Sequence, residues 1–142
     1  MLQLFGISAS ESLMKPLKSL HRRAIKIILL KRTSLTNEDY KNTTLLPLKA
    51  RLVCNKARFM HKILSGKAPT YLLEKLSINH YSRNCSRKLN VPMPRLDLLE
   101  SSLMYSGPTL WNSLPIALKE TISVSVFKTR LSKHMLSSLG IT

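Results

Sequence analysis

The residues of this 142-residue chain that could do chemistry are few, and their spacing limits what they can do. Cys54, His61, His80 and Cys85 are the soft-metal ligand set. Zinc sites built on one helix or knuckle use short spacings such as C-x2-C or H-x3-H. Cys54 and His61 stand seven residues apart, about 10 Å along a helix, so they share a face but are too distant to chelate one ion. Cys54 is more simply a buried, apolar-like residue. Glu38 and Asp39 are the one adjacent acid pair, on a polar stretch without a third ligand nearby, and read as surface residues and not a divalent-cation site. His21 and His134 lie in basic helical stretches with no acid or nucleophile beside them. There is no Gly-rich phosphate loop, no G-x-S-x-G turn and no H-E-x-x-H pair. Seven scattered acidic residues leave little from which to build a two-metal nuclease or polymerase centre. On these residues the chain is expected to be a binding module and not an enzyme, with no metal and no cofactor.

What the chain has in abundance is positive charge. Twenty-three Lys and Arg against seven Asp and Glu give a net charge of +16, which repels itself and invites a polyanion. Nucleic acid is the first candidate and an anionic membrane the second. Aromatic residues are only 6% of the chain, so base stacking is not expected to be the main mode of contact. No apolar run reaches the length of a membrane span. The short apolar stretch near the N-terminus has no basic residue ahead of it, unlike a secretory signal. Two cysteines make no disulfide framework, so a reducing intracellular compartment, nucleus or cytoplasm, is expected. The length and a 44% hydrophobic content suit one domain spanning residues 1–142.

The elements that must position those cations follow from the apolar spacing. Ser12 to Lys31 reads as an amphipathic helix, with Leu13, Leu17, Leu20, Ala24, Ile27 and Ile28 on one face and Pro16 tolerated in its first turn. Lys15, Lys18, Arg22 and Lys26 fall on the opposite face, where like-charged i, i+4 pairs are relieved by an anion lying along the stripe. Thr33 to Thr44 reads as a polar linker. A second helix is expected from Leu48 to Ser65, with Ala50, Val53, Ala57, Met60 and Leu64 as one apolar face. Leu52, Phe59 and Ile63 form a second strip, which predicts a helix sandwiched between other elements. Arg51, Arg58 and Lys62 occupy the arc that remains. The stretch from Lys49 to Lys67 carries six basic residues and no acid, the strongest local signal for nucleic acid.

Gly66 reads as a C-terminal cap, followed by a short helix from Ala68 to near Leu76. Ser77 to Lys88 is a basic loop in which Arg83 and Arg87, with Tyr81 beside them, could clamp a strand of RNA or DNA. Leu89 to Pro94 alternates and then carries two prolines, as an edge strand or an extended crossing segment, with Leu103-Met104-Tyr105 as its candidate partner strand. In Gly107 to Pro115, Pro108 suits the first position of one compact helical turn and Pro115 ends it. Trp111, Leu110 and Leu114 there read as a structural plug. Ser123 is expected to cap a last helix that buries Val124, Phe127, Leu131 and Met135 and turns Lys128, Arg130 and Lys133 outward.

Taken together, five motifs resemble a known family. Leu20-His21-Arg22-Arg23-Ala24-Ile25-Lys26-Ile27-Ile28 is similar to an L-Q-x-R-A-x-R-x-I helix, and Leu46-Pro47-Leu48-Lys49-Ala50-Arg51 to an L-P-[VI]-x-x-R start. His61 to Leu72 is similar to Y-K-x-L-N-G-x-A-P-x-Y-L, Gly107 to Pro115 to A-P-x-L-W-N-S-L-P, and Ser123 to Leu131 to S-x-x-x-F-K-x-x-L. In this order they resemble the C-terminal region, beyond the polymerase domain, of reverse transcriptases from LINE-type (non-LTR) retrotransposons of the jockey kind. The resemblance runs from about Leu13 to Leu136. It implies RNA and DNA as natural partners, and the upstream polymerase domain of a full-length element protein as a further one. The family's Tyr/Phe-Ala-Asp-Asp palm motif and its endonuclease residues have no counterpart in this sequence, so no catalytic position carries over.

The sequence therefore predicts a mainly α-helical domain with a short proline-bounded β-like hairpin. The expected function is that of a truncated or retained nucleic-acid-binding segment of an RNA-directed DNA polymerase, without membrane contact. The expected phosphate contacts are Arg22, Lys26, Arg51, Arg58, Lys62, Arg83 and Arg87, and the expected structural residues are Trp111, Pro108, Pro115 and Phe127. The alternatives are a protein-interaction domain that packs on the polymerase thumb, which predicts that the isolated chain exposes an apolar patch and self-associates, and a non-functional element remnant.

Overall fold

Apolar residues at helical spacing dominate the chain, and helices are what they form. The structure, a computed structural model, describes residues 11–76, 88–93, 95 and 102–138. In chain order its helices are α1 (Glu11–Ile28), α2 (Asn37–Thr43), α3 (Leu48–Leu64), α4 (Thr70–Glu74), α5 (Leu103–Ser113), α6 (Ile116–Lys119) and α7 (Val124–Ser138).

α3 is the axis of the core. Its face of Ala50, Val53, Cys54, Ala57, Met60 and His61 is buried, as its 3-4 spacing requires, and it packs against α7 and α5. α7 contributes Phe127, Leu131 and Met135, with Lys128, Arg130 and Lys133 exposed, as the sequence predicts. α5 contributes Leu110 and Trp111, and Leu114, Leu118, Leu76 and Leu89 complete the cluster. Gly107 lets α5 approach α3 closely, since a Cβ there would stand 2.6 Å from the Met60 sulfur.

The centre of this core is polar. His61 is 3% exposed and stacks on Phe127 with ring centroids 4.5 Å apart, while Trp111 lies tilted 6.2 Å away. Its Nε2 is 2.6 Å from the carbonyl oxygen of Thr121. A carbonyl only accepts, so Nε2 carries the proton and Nδ1 is left to accept from the Ser65 hydroxyl at 3.4 Å. One imidazole thus ties α3 to the loop between α6 and α7.

Four expectations are corrected. The partner strand of the hairpin is not there: Leu103-Met104-Tyr105 is the first turn of α5, and no strand occurs among the described residues. Three consecutive apolar residues fit either period, and within the helix the Ser106 and Thr109 hydroxyls are satisfied by donating to the Ser102 and Tyr105 carbonyls at 2.7 and 2.8 Å. The segment at Leu89 is instead an extended crossing piece, clamped by Asn112, whose amide oxygen accepts from Leu89 N–H at 2.9 Å. Its amide nitrogen donates to the Leu89 carbonyl at 2.8 Å. Pro108 accordingly sits inside α5 and is buried, and does not open a new helix, while Pro115 caps α6.

The linker 33–44 contains α2, held by a capping box in which the Asp39 carboxylate accepts from Thr36 N–H at 2.6 Å and the Thr36 hydroxyl at 2.9 Å. The third correction is at α3's second strip: Ile63 is buried but Phe59 is 38% exposed, so α3 is covered on one side and open on the other. The fourth is at α1, where Met14 and Ile25 are buried while the predicted apolar face of Leu13, Leu17, Leu20, Ala24, Ile27 and Ile28 is exposed.

Candidate nucleic-acid interface

The side of α3 that faces away from the core carries cations, with Phe59 as the one large apolar residue among them. At 100° per residue, Arg51, Asn55, Arg58, Phe59 and Lys62 fall on one arc. Of these, Arg51, Asn55, Phe59 and Lys62 are exposed and Arg58 is half-buried. The Arg58 Nε is itself enclosed and has no hydrogen-bond partner, which leaves the outer guanidinium nitrogens to do the reaching. Cys54 lies beneath, its thiol pushed up to about 11 by burial and only partly opposed by Arg58. That thiol is not a thiolate at neutral pH.

The N-terminal turn of α3 meets α1 across an open groove lined by Lys18, His21, Arg22, Tyr40, Pro47, Leu48, Lys49 and Ala50. A second shallow groove runs along α1 itself between Lys15, Lys18, Ser19, Arg22, Arg23 and Lys26. Arg22 borders both. The pKa of His21 is lowered by partial burial and by the positive charge of Arg51, which places these two side chains in one electrostatic neighbourhood. Cations from α1 and the first turn of α3 therefore meet at one groove, and Arg51, Arg58 and Lys62 follow one another along the outer arc of α3.

Of the predicted contacts, Arg22, Lys26, Arg51, Arg58 and Lys62 lie on this surface, with Lys26 half-buried, and Arg83 and Arg87 lie outside the described residues. Lys18 and Lys49, read in the sequence as part of the basic stretches but not among the expected phosphate contacts, line the groove as well. Lys56 does not. Its ammonium turns inward to donate to Ser106 Oγ at 2.9 Å, and burial lowers its pKa. Lys119 is likewise drawn in, donating to the Asn112 carbonyl at 3.2 Å, with its pKa lowered by burial and by Lys88. Both are helix-face lysines whose inward turn no periodicity reveals.

Both His61 nitrogens are already hydrogen-bonded in the core, and His80 and Cys85 lie outside the described residues. Among the described residues no three His, Cys, Asp or Glu side chains group as a metal site. None of the described helices is long and apolar enough to cross a membrane.

The described residues form a small, mainly helical fold with a basic groove between α1 and the start of α3. No family model, curated protein or solved structure matches the chain.

Proposed function

We propose that this chain binds nucleic acid through the joined basic surface of α1 and α3, as a segment akin to the post-polymerase region of LINE-type reverse transcriptases. The observation that supports this most is the convergence of Lys18, Arg22 and Lys49 on one groove, with Arg51 beside His21 at its edge. Like charges gathered this way repel, and a phosphate backbone laid across them removes that cost. The role is one of holding RNA or DNA, with Arg22, Arg51, Arg58 and Lys62 as phosphate contacts and no group acting on a bond.

The test is titration of the purified chain with labelled single-stranded RNA and duplex DNA at two salt concentrations. Micromolar or tighter binding that weakens steeply with salt is expected, and each Arg→Gln change at 22, 51 or 58 should lower the salt slope by about one unit. A folded chain that binds neither probe at low salt overturns the reading. Binding that survives charge reversal at Arg51 and Arg58 unchanged overturns the site.

A further inference from the structure

The element that the core does not explain is α2. None of its residues is buried, yet a capping box and the Lys31–Asp39 ion pair at 2.7 Å hold it in place. It sets Tyr40 beside the groove whose other lining is Lys18, His21 and Arg22 of α1 and Pro47, Leu48 and Lys49 at the start of α3. Three elements thus border an open space of about 350 Å³, which is at the small end of the range for ligand sites.

The lining selects what fills it. Lys18, Arg22 and Lys49 make the groove cationic and no acidic residue lines it, so its occupant is an anion. Tyr40, Pro47 and Leu48 add an apolar part that a bare phosphate leaves unused. The neighbouring groove along α1 is different: Lys15, Lys18, Ser19, Arg22, Arg23 and Lys26 line it without an aromatic or aliphatic side chain, which suits phosphate alone. Arg22 belongs to both, so a strand whose phosphates follow α1 brings its next base to Tyr40. In a duplex that base keeps its faces inside the stack, whereas in a single strand it can lie on an aromatic ring. A carboxylate side chain answers the cations and leaves the Tyr40 ring bare.

We propose that this groove seats one unpaired nucleotide of a single strand, its base against Tyr40, Pro47 and Leu48 and its phosphate on Arg22 and Lys49. The inference rests on the nucleic-acid reading above and adds a place where the base itself counts. One seated base among several phosphate contacts also suits a chain in which aromatic residues are only 6%. Salt separates the two contributions. Phosphate contacts weaken as salt rises, while stacking is not screened, so the base's share of the affinity holds constant as the total falls.

The experiment is fluorescence anisotropy of the full chain with three labelled probes at low and high salt. The probes are a short single strand, the same strand with abasic sugars in place of its bases, and a duplex of equal length. The ordinary strand should bind about tenfold tighter than the abasic one, by the same ratio at both salts. Tyr40→Ala should erase that ratio while leaving the abasic strand, the duplex and the salt slopes unchanged, and Tyr40→Phe should keep it, since the ring and not the hydroxyl stacks. Tyr40 lies outside the core cluster, so the helical circular dichroism should not move. The ratio itself is read on the unaltered chain and stands whatever Tyr40→Ala does to α2. Equal binding of ordinary and abasic strands overturns the proposal and leaves the wider nucleic-acid reading intact. So does a Tyr40→Ala chain that keeps the ratio. A nucleoside monophosphate or polyglutamate that displaces the strand at the strand's own Kd gives the groove to another anion and overturns it as well. Binding of no probe at low salt overturns both readings together.

Discussion

Leu30 and Gly66 occupy the same place in the same motif. Each follows the end of a helix in the left-handed conformation, with φ of 51° and 69°. The next residue, Lys31 or Lys67, sends its N–H back to Lys26 or Lys62 at 2.9 Å in both cases. Glycine adopts this conformation freely, and leucine does so at a cost of about 1 kcal/mol. Since the Leu30 side chain is 91% exposed, Leu30→Gly removes strain and loses no packing. It should raise the melting temperature, and Gly66→Ala should lower stability by about 1 kcal/mol in denaturant titration. Asn112→Asp is a sharper test. A carboxylate can accept from Leu89 N–H but cannot donate to its carbonyl, so about 1–3 kcal/mol of stability should be lost. His21 adds a pH signature. Its pKa lies below the ordinary 6.5, so the unfolded chain takes up a proton first and stability falls as pH drops below about 6.5. His21→Gln should flatten that part of the stability–pH profile. If the proposed phosphate contact forms, it opposes the Arg51 effect, and the proposed nucleic-acid binding should then strengthen over the same interval in the wild type and not in His21→Gln.

At the scale of elements, what was legible in the sequence was what one helix settles by its own period. The extents of α3 and α7, their buried stripes, the cap at Gly66 and the stop at Pro115 all follow from local spacing. What was not legible depends on partners distant in the chain. Leu103-Met104-Tyr105 becomes helix because α5 packs as a unit on α3, and Lys56 turns inward because Ser106 is waiting there. α1 shows the same limit from the other side, since periodicity finds an apolar face but cannot say whether anything covers it. α2 hid in a linker because its stability comes from one carboxylate. Hydrogen bonding from Lys31, at 2.7 and 2.9 Å, and then from Thr36 N–H holds the Asp39 pKa down at about 2. That contribution is present above pH 4 and is lost as pH falls toward 2. Asp39→Asn should remove the acid-dependent step and loosen amide-exchange protection in residues 37–43, with α3 unaffected.

For the whole molecule, the basic surface and the core share α3, so the two can be separated only by choosing residues on its outer arc. Arg51 and Lys62 are exposed and outside the core cluster, and replacing both by Gln should leave unfolding unchanged while the proposed binding weakens. The candidate site was readable as separate basic strips, and its continuity was not, because the groove exists only where α1 crosses the start of α3.

One further consequence lies in the wiring of α3. Its buried face is covered by α5 and α7, which the ribosome makes some 40 to 70 residues later, and the His61–Thr121 hydrogen bond spans 60 positions. During synthesis α3 can coil early but must wait with its apolar side bare until α7 has left the exit tunnel. Nascent chains stalled before Phe127 should therefore be held by chaperones, and release should coincide with the emergence of Met135.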